Sequence, residues 1–387
     1  MEYLAPFKEG IDLVTQFGGE AFKLCWQCGL CSASCPWNSV RSFMTHRMIC
    51  QSRYGLVDLE DEDWWLCSTC NQCVSRCPRG VAITDVIRAA RKIMLEFQYE
   101  KAPASLRSAI GNLGSEGNPW GGERSKRAGW AEGLAIQPYS SETHDVLYSP
   151  CCVLAYDPKL GSVARATATV LKSTGAVFGI LGEKESCCGE SVRKAGHESL
   201  FESLAKSNIA AFREKGVREI IVSSPHCYAT FKQEYPQLNG EVKVLHMTQY
   251  LAGLLDKGEL SFKKPFTKKI VYHDPCYLGR HNGIYDEPRR VLRSIPGVTL
   301  MNEVECRENS LCCGGGGGRI WMETLKGQRF SDILVEQAVE MGADILATAC
   351  PYCLLNFKDS VVTSDKAEVL EVKDVSEVVL AAMGEER

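Results

Sequence analysis

Eight cysteines near the amino terminus fall into two copies of one spacing, Cys25-x2-Cys28-x2-Cys31-x3-Cys35-Pro36 and Cys67-x2-Cys70-x2-Cys73-x3-Cys77-Pro78. Three thiolates two residues apart can wrap one corner of an iron-sulfur cube. The residue before a proline is driven into an extended conformation, which carries the fourth thiolate away from its own loop. The run therefore reads as two interleaved 4Fe-4S cubanes, one on Cys25, Cys28, Cys31 and Cys77, the other on Cys67, Cys70, Cys73 and Cys35. A zinc ribbon needs only two Cys-x2-Cys pairs per metal and accounts for neither the third thiolate nor the repeated Cys-Pro.

A second pattern also occurs twice. Ser149-Pro150-Cys151 lies over Asp274-Pro275-Cys276, and in each copy 35 residues separate that cysteine from a vicinal pair, Cys187-Cys188-Gly189 or Cys312-Cys313-Gly314. Each copy closes on Ser224-Pro225-His226-Cys227 or Cys350-Pro351-Tyr352-Cys353. Five thiolates in the second copy (Cys276, Cys312, Cys313, Cys350 and Cys353) exceed what one cubane or one zinc uses, and a vicinal pair can grip two neighbouring irons of an opened cluster. Gly314 to Gly318 permit close backbone approach, so their amides are expected to face cluster sulfurs. Arg319 and a helix starting near Ile320 are expected to bring positive charge beside them.

The first copy departs from this pattern at Ser224, which stands where Cys350 stands in the second. Cys152 sits next to Cys151 and reads as not across the site. Three options stay open for Cys151, Cys187, Cys188 and Cys227: an empty half, a four-cysteine zinc or ordinary iron-sulfur site, or a modified cluster using Ser224. The empty or altered half is the preferred reading.

Elements must position these loops. Residues 39 to 50 read as a helix between the two cysteine runs, and 82 to 98 as another, with Ile83, Val86, Ile87, Ala90, Met94 and Phe97 on one face. Trp64 and Trp65 read as core or as cluster shielding, and Cys50 and Cys306 as small buried hydrophobes. From 99 to 142 periodicity weakens, and Trp120 and Trp130 suggest a linker or wrapping segment packed over the junction. Both later copies alternate strand and helix, with strands at 145–148, 219–223, 269–272 and 344–348. Parallel sheets follow, with cysteines at the carboxyl ends of strands and two halves facing across a cleft.

The composition is globular: 387 residues, 45% apolar, 24% charged, net charge -4 and 20 cysteines. The opening Met1-Glu2-Tyr3-Leu4-Ala5 has no charged and then apolar leader, so disulfides are not expected and a cytoplasmic, anaerobic setting is. Mild acidity argues against nucleic acid, and without a run of 18 apolar residues any membrane contact is expected through a partner. His273 and Asp274 are candidates to supply a proton or to support the loop, His226 is a candidate metal ligand or plain loop residue, and Arg280 and His281 are candidates to hold an anionic substrate.

The motif Cys276-x35-Cys312-Cys313-Gly314-x35-Cys350-x2-Cys353 resembles the CCG domain of heterodisulfide reductases. A helical two-cluster ferredoxin ahead of two such repeats resembles the D-type subunit of that enzyme. The resemblance implies an α+β chain, a helical ferredoxin domain at 1–98, the wrapping segment at 99–142, and a pseudo-twofold α/β domain of two CCG repeats at 143–266 (degenerate) and 267–387 (complete). It implies a noncubane 4Fe-4S cluster on the five cysteines of the complete motif. In that family two such clusters, facing each other, cleave the disulfide of coenzyme M and coenzyme B.

Two functions follow as expectations. One is an electron-transfer subunit of a multi-subunit anaerobic complex, served by ferredoxin or by a flavin-containing heterodisulfide reductase A-like subunit, comparable to the relay of class II benzoyl-CoA reductase complexes. The other is a catalytic thiol-disulfide reductase with substrate sulfur at the noncubane cluster. Ser224 favours the first. No GxGxxG turn opens a βαβ unit, so a partner is expected to supply the two-electron carrier.

Overall fold

The computed structural model describes residues 5–262 and 264–384, so the reading of the first residues as leaderless lies outside it for Met1 to Leu4. Its amino-terminal part is helical. The amphipathic helix Ile83–Phe97 buries Ile83, Val86, Ile87, Ala90 and Met94, while Phe97 at its end is 58% exposed. The helix expected at 39–50 runs instead over Thr45–Arg53. Asn38 explains the shift: its side chain accepts from the Phe43 amide and donates to the Phe43 carbonyl, holding 38–43 in a turn. Trp64 and Trp65 are buried in the core, whereas Cys50 and Cys306 are only half-buried.

Two four-stranded parallel sheets follow. The first contains β1 (Val146–Ser149), β2 (Phe178–Gly179), β3 (Glu219–Val222) and β4 (Lys243–His246) in the order β2-β1-β3-β4. The second contains β5 (Lys268–Tyr272), β6 (Val298–Asn302), β7 (Ile345–Thr348) and β8 (Glu371–Asp374) in the equivalent order β6-β5-β7-β8. Central registers such as Leu147 opposite Ile220 and Ile270 opposite Ile345 pair apolar residues, as strands covered on both faces require.

The halves are not separated by an open cleft. Helix Gly161–Ser173 of the first repeat lies on Val375–Met383 of the second, and Met247–Lys257 lies on Asp286–Arg293. The space between the cysteine loops is filled by His226, Tyr277 and Tyr352, with the tyrosine ring centroids 3.9 and 4.3 Å from that of His226.

Segment 99–142 is more regular than its sequence suggests. Ala104–Glu116 is a helix burying Leu106, Ala109, Ile110 and Leu113, and Gly117 ends it at φ 68°. Gly111 and Gly114 masked that stripe. The chain then lays Trp130 edge-on against Tyr148, 5.6 Å away, and bridges Pro138 to Ile180, wrapping the first repeat.

Candidate metal centres

The amino-terminal cysteines ride on loops that reverse through positive φ at Gln27 and Gly29, and again at Thr69 and Asn71. Amides of Gln27, Thr69 and Val81 donate to the sulfurs of Cys25, Cys67 and Cys77, each at 3.4 Å. One cavity is lined by Cys25, Cys28, Cys31 and Cys77, a second by Cys35, Cys67, Cys70 and Cys73, so each Cys-Pro cysteine stands with the other run. The first is peripheral, with Cys28 exposed and Trp26 72% exposed. The second has no exposed cysteine: Cys70 is buried, and Cys35, Cys67 and Cys73 are half-buried. Burial, then neighbouring thiols, push Cys31 up to about 11 and Cys73 well above the ordinary thiol value. Such a donor set suits a cationic iron core, which would hold the sulfurs as thiolates.

In the second repeat Cys276 follows β5, Cys312 and Cys313 follow β6, and Cys350 follows β7 as the N-cap of helix Pro351–Thr363, which carries Cys353 in its first turn. All five are buried at carboxyl ends of parallel strands. Their thiols lie side by side in a chain, Cys276 beside Cys312, Cys312 beside Cys313, Cys313 beside Cys353 and Cys353 beside Cys350. Among the described residues no group of His, Cys, Asp or Glu meets the geometry of a single bound ion.

The glycine run does more docking than expected. Gly314 donates its amide to Cys312 at 3.3 Å, but a Cβ at Gly316 would lie 2.3 Å from the Ser68 carbonyl, and one at Gly317 2.6 Å from that of Cys67. The second ferredoxin loop is thereby pressed onto the repeat: Ser68 Oγ lies 3.5 Å from the Cys312 sulfur, and the Cys70 thiol lies beside it. Arg91 seals the junction from beneath, donating to the carbonyls of Trp64, Cys67, Lys194 and Gly317.

Several candidates stand elsewhere than expected. Residues Arg319–Trp321 form a single tight turn, not a helix, and the next helix starts at Phe330. Arg319 stacks over Trp37 and donates to Thr324. The cation beside the thiols is the half-buried Arg280, which Cys70, Cys276 and Cys312 hold above its ordinary value although desolvation lowers it. Arg280 also donates to the Cys70 and Ser310 carbonyls, and His281 bonds the Thr69 carbonyl with its pKa lowered by burial to about 3. Backbone carbonyls thus engage Nε and Nη1 of Arg280 and the His281 ring, and Nη2 of Arg280 keeps no hydrogen-bond partner among the described residues. His273 is held by Glu303 at 2.8 Å and Asp274 by both terminal nitrogens of Arg289, so both support the loop.

The first repeat gathers more thiols than its sequence implied. Cys152, read as outside the site, lies beside Cys187. Cys187 contacts Cys188, Cys188 contacts Cys227, and Cys227 contacts Cys151. Arg127 from the wrapping segment donates to Cys152 Sγ at 3.8 Å and pairs with Glu185 at 2.6 Å, both fully interior. Between the repeats, His226 faces Glu190 at 3.1 Å and the Cys350 thiol, which together hold it at about 10 against the lowering effect of burial.

Of the positioning residues, Arg91 was detectable as a charge on an apolar helix face. Arg127, Glu185 and Glu190 carried no local signal. A cavity of about 570 Å³ beside Trp37, Arg319 and Arg329 reaches Cys313.

Known proteins share these features. The 4Fe-4S dicluster domain family matches residues 21–81, and the Cysteine-rich domain family matches 146–232 and 270–358. The chain is 30% identical to the D-type subunit of the dihydromethanophenazine:CoB--CoM heterodisulfide reductase of Methanosarcina barkeri, over 93% of both chains. It is 35% identical to the EtfAB:quinone oxidoreductase of Syntrophomonas wolfei over 83% of its own length, and spans about half of that longer relative (47%). A hypothetical protein from Helicobacter pylori shares the fold at TM-score 0.56 and 12% identity, over 98% of this chain and 74% of that one.

Proposed function

The chain belongs to the family of D-type heterodisulfide reductase subunits, and from that premise we propose that it is an electron-carrying subunit of a larger anaerobic redox complex. In this reading Cys25, Cys28, Cys31 and Cys77 hold one cubane, and Cys35, Cys67, Cys70 and Cys73 a second. Cys276, Cys312, Cys313, Cys350 and Cys353 hold a noncubane four-iron cluster. Such clusters, when bound, supply one-electron carriers whose potentials depend on exposure and hydrogen bonding.

The observation that carries the reading is the contact of Cys70 with Cys312, which joins the second ferredoxin loop to the five-thiol set. The chain's own residues then define a direction. Exposed Cys28 and Trp26 mark the end open to a donor, the glycine run fixes the inner junction, and Arg280 supplies positive charge there. The donor class is a ferredoxin or a flavin-containing subunit, as in complexes of the heterodisulfide reductase A and class II benzoyl-CoA reductase types. We place the protein at the cytoplasmic side; among the described residues no helix is long and apolar enough to cross a membrane, so membrane contact is assigned to a partner.

A second reading, catalysis on a thiol or disulfide, is favoured by the cavity that reaches Cys313. The two separate experimentally. In the relay reading, added thiol leaves the electron paramagnetic resonance signal of the oxidised protein unchanged; a thiol-dependent change in that signal would overturn it in favour of catalysis.

A further inference from the structure

We propose that the first repeat is a complete five-thiolate cluster site, in which Cys152 takes the place of Cys276 and Cys151 the place of Cys350. The inference rests on the reading of the second repeat as a four-iron site.

The two thiol chains correspond link by link. Cys276–Cys312–Cys313–Cys353–Cys350 in the second repeat is matched by Cys152–Cys187–Cys188–Cys227–Cys151 in the first. The aligned cysteine, Cys151, has moved one link along because its backbone is turned over, at φ 85° and ψ 148°. Its aligned counterpart Cys276 has no positive φ. A non-glycine residue there is strained, and surrounding structure must hold it in place. The turn swings Cys151 towards Cys227 and hands its former place to Cys152, the first residue of helix Cys152–Tyr156. Ser224, in line with Cys350, is fully buried, and its hydroxyl has no partner among the described residues.

Two further correspondences agree. His226, the third residue of its Pro-containing motif, faces Cys350 across the pseudo-twofold. Its counterpart Tyr352 packs on it at 4.3 Å and faces the thiols of Cys151 and Cys187. Each set also has one arginine: half-buried Arg280 beside Cys276, buried Arg127 on Cys152 Sγ. Each arginine keeps one nitrogen, Nη2 of Arg280 and Nε of Arg127, without a hydrogen-bond partner among the described residues. A guanidinium suits an anionic cluster, and sulfurs of such a cluster would complete it.

The test is iron, sulfide and zinc per chain on the anaerobically purified full chain and on Cys152→Ala, Ser224→Ala and Cys276→Ala. About 16 irons and no zinc are expected for the parent chain, with about four lost in Cys152→Ala and Cys276→Ala and none in Ser224→Ala. The parent count stands even where a variant fails to fold. About 12 irons, falling to about eight in Cys276→Ala, would overturn the inference while leaving the proposed function intact. One zinc per chain, or loss of iron in Ser224→Ala, would also overturn it. About eight irons unaffected by Cys276→Ala would sink both.

Discussion

The two repeats share strand order and a five-thiol chain but differ in what covers them. The second is covered by another cysteine loop: Gly316 and Gly317 admit the Cys67–Thr69 backbone, and Cys70 reaches Cys312. The first is covered by the wrapping segment, whose Arg127 closes over Cys152 in a buried ion pair with Glu185. Similar thiol frameworks thus acquire different neighbours, and in the proposed function the neighbour sets whether a site lies on a through route or at its end. The lesson is that the covering segment, more than the motif, separates their roles.

The comparison can be broken one cover at a time. Arg127→Ala leaves Glu185 charged and buried, and should destabilise the protein by about 3–5 kcal/mol, read as a shifted denaturant midpoint. Iron lost from the first repeat with the other sites intact would sharpen the contrast. Arg91→Ala strips four carbonyls of their shared donor and should cost a similar few kcal/mol, but by loosening the ferredoxin domain from the second repeat. Limited proteolysis of its amino-terminal half would report that. Gly316→Ala drives a methyl onto the Ser68 carbonyl and should cost about 1–3 kcal/mol, again at the second site alone.

The smallest effect concerns equivalent helix caps. Burial lowers His246 from 6.5 to about 4, so the native state binds fewer protons than the unfolded chain and stability is lost as pH falls from 6.5 towards 4. Burial raises Asp374 from 3.8 to about 7, so its contribution is lost in the opposite direction, as pH rises from 3.8 through 7. His246→Asn and Asp374→Asn keep a capping side chain and should each flatten only its own limb of a stability-pH curve. Equal effects on both limbs would refute the assignment.

Cysteine spacing and strand alternation made the two parallel sheets and the gathering of the second five-thiol set legible, because ligand spacing and apolar runs are local; the strand order was not. What was hidden is nonlocal. Cys152 was discounted because sequence neighbours are assumed to point apart, and only a backbone turned to positive φ at Cys151 brings both inward. The helix Ala104–Glu116 was obscured by two glycines, and Asn38 displaced a helix start through side-chain bonds that no periodicity reveals. The anchoring of Arg280 and His281 was hidden because their carbonyl partners, on Cys70 and Thr69, are distant in sequence.

The central claim is that the second ferredoxin site and the second repeat form one electron route through Cys70 and Cys312. Its most direct test is electron paramagnetic resonance of the full chain during stepwise reduction, beside Cys312→Ala. Magnetic coupling of one cubane signal to a neighbouring centre is predicted, lost in the variant while the second cubane signal is unchanged. Identical, uncoupled cubane spectra in both proteins would contradict the account.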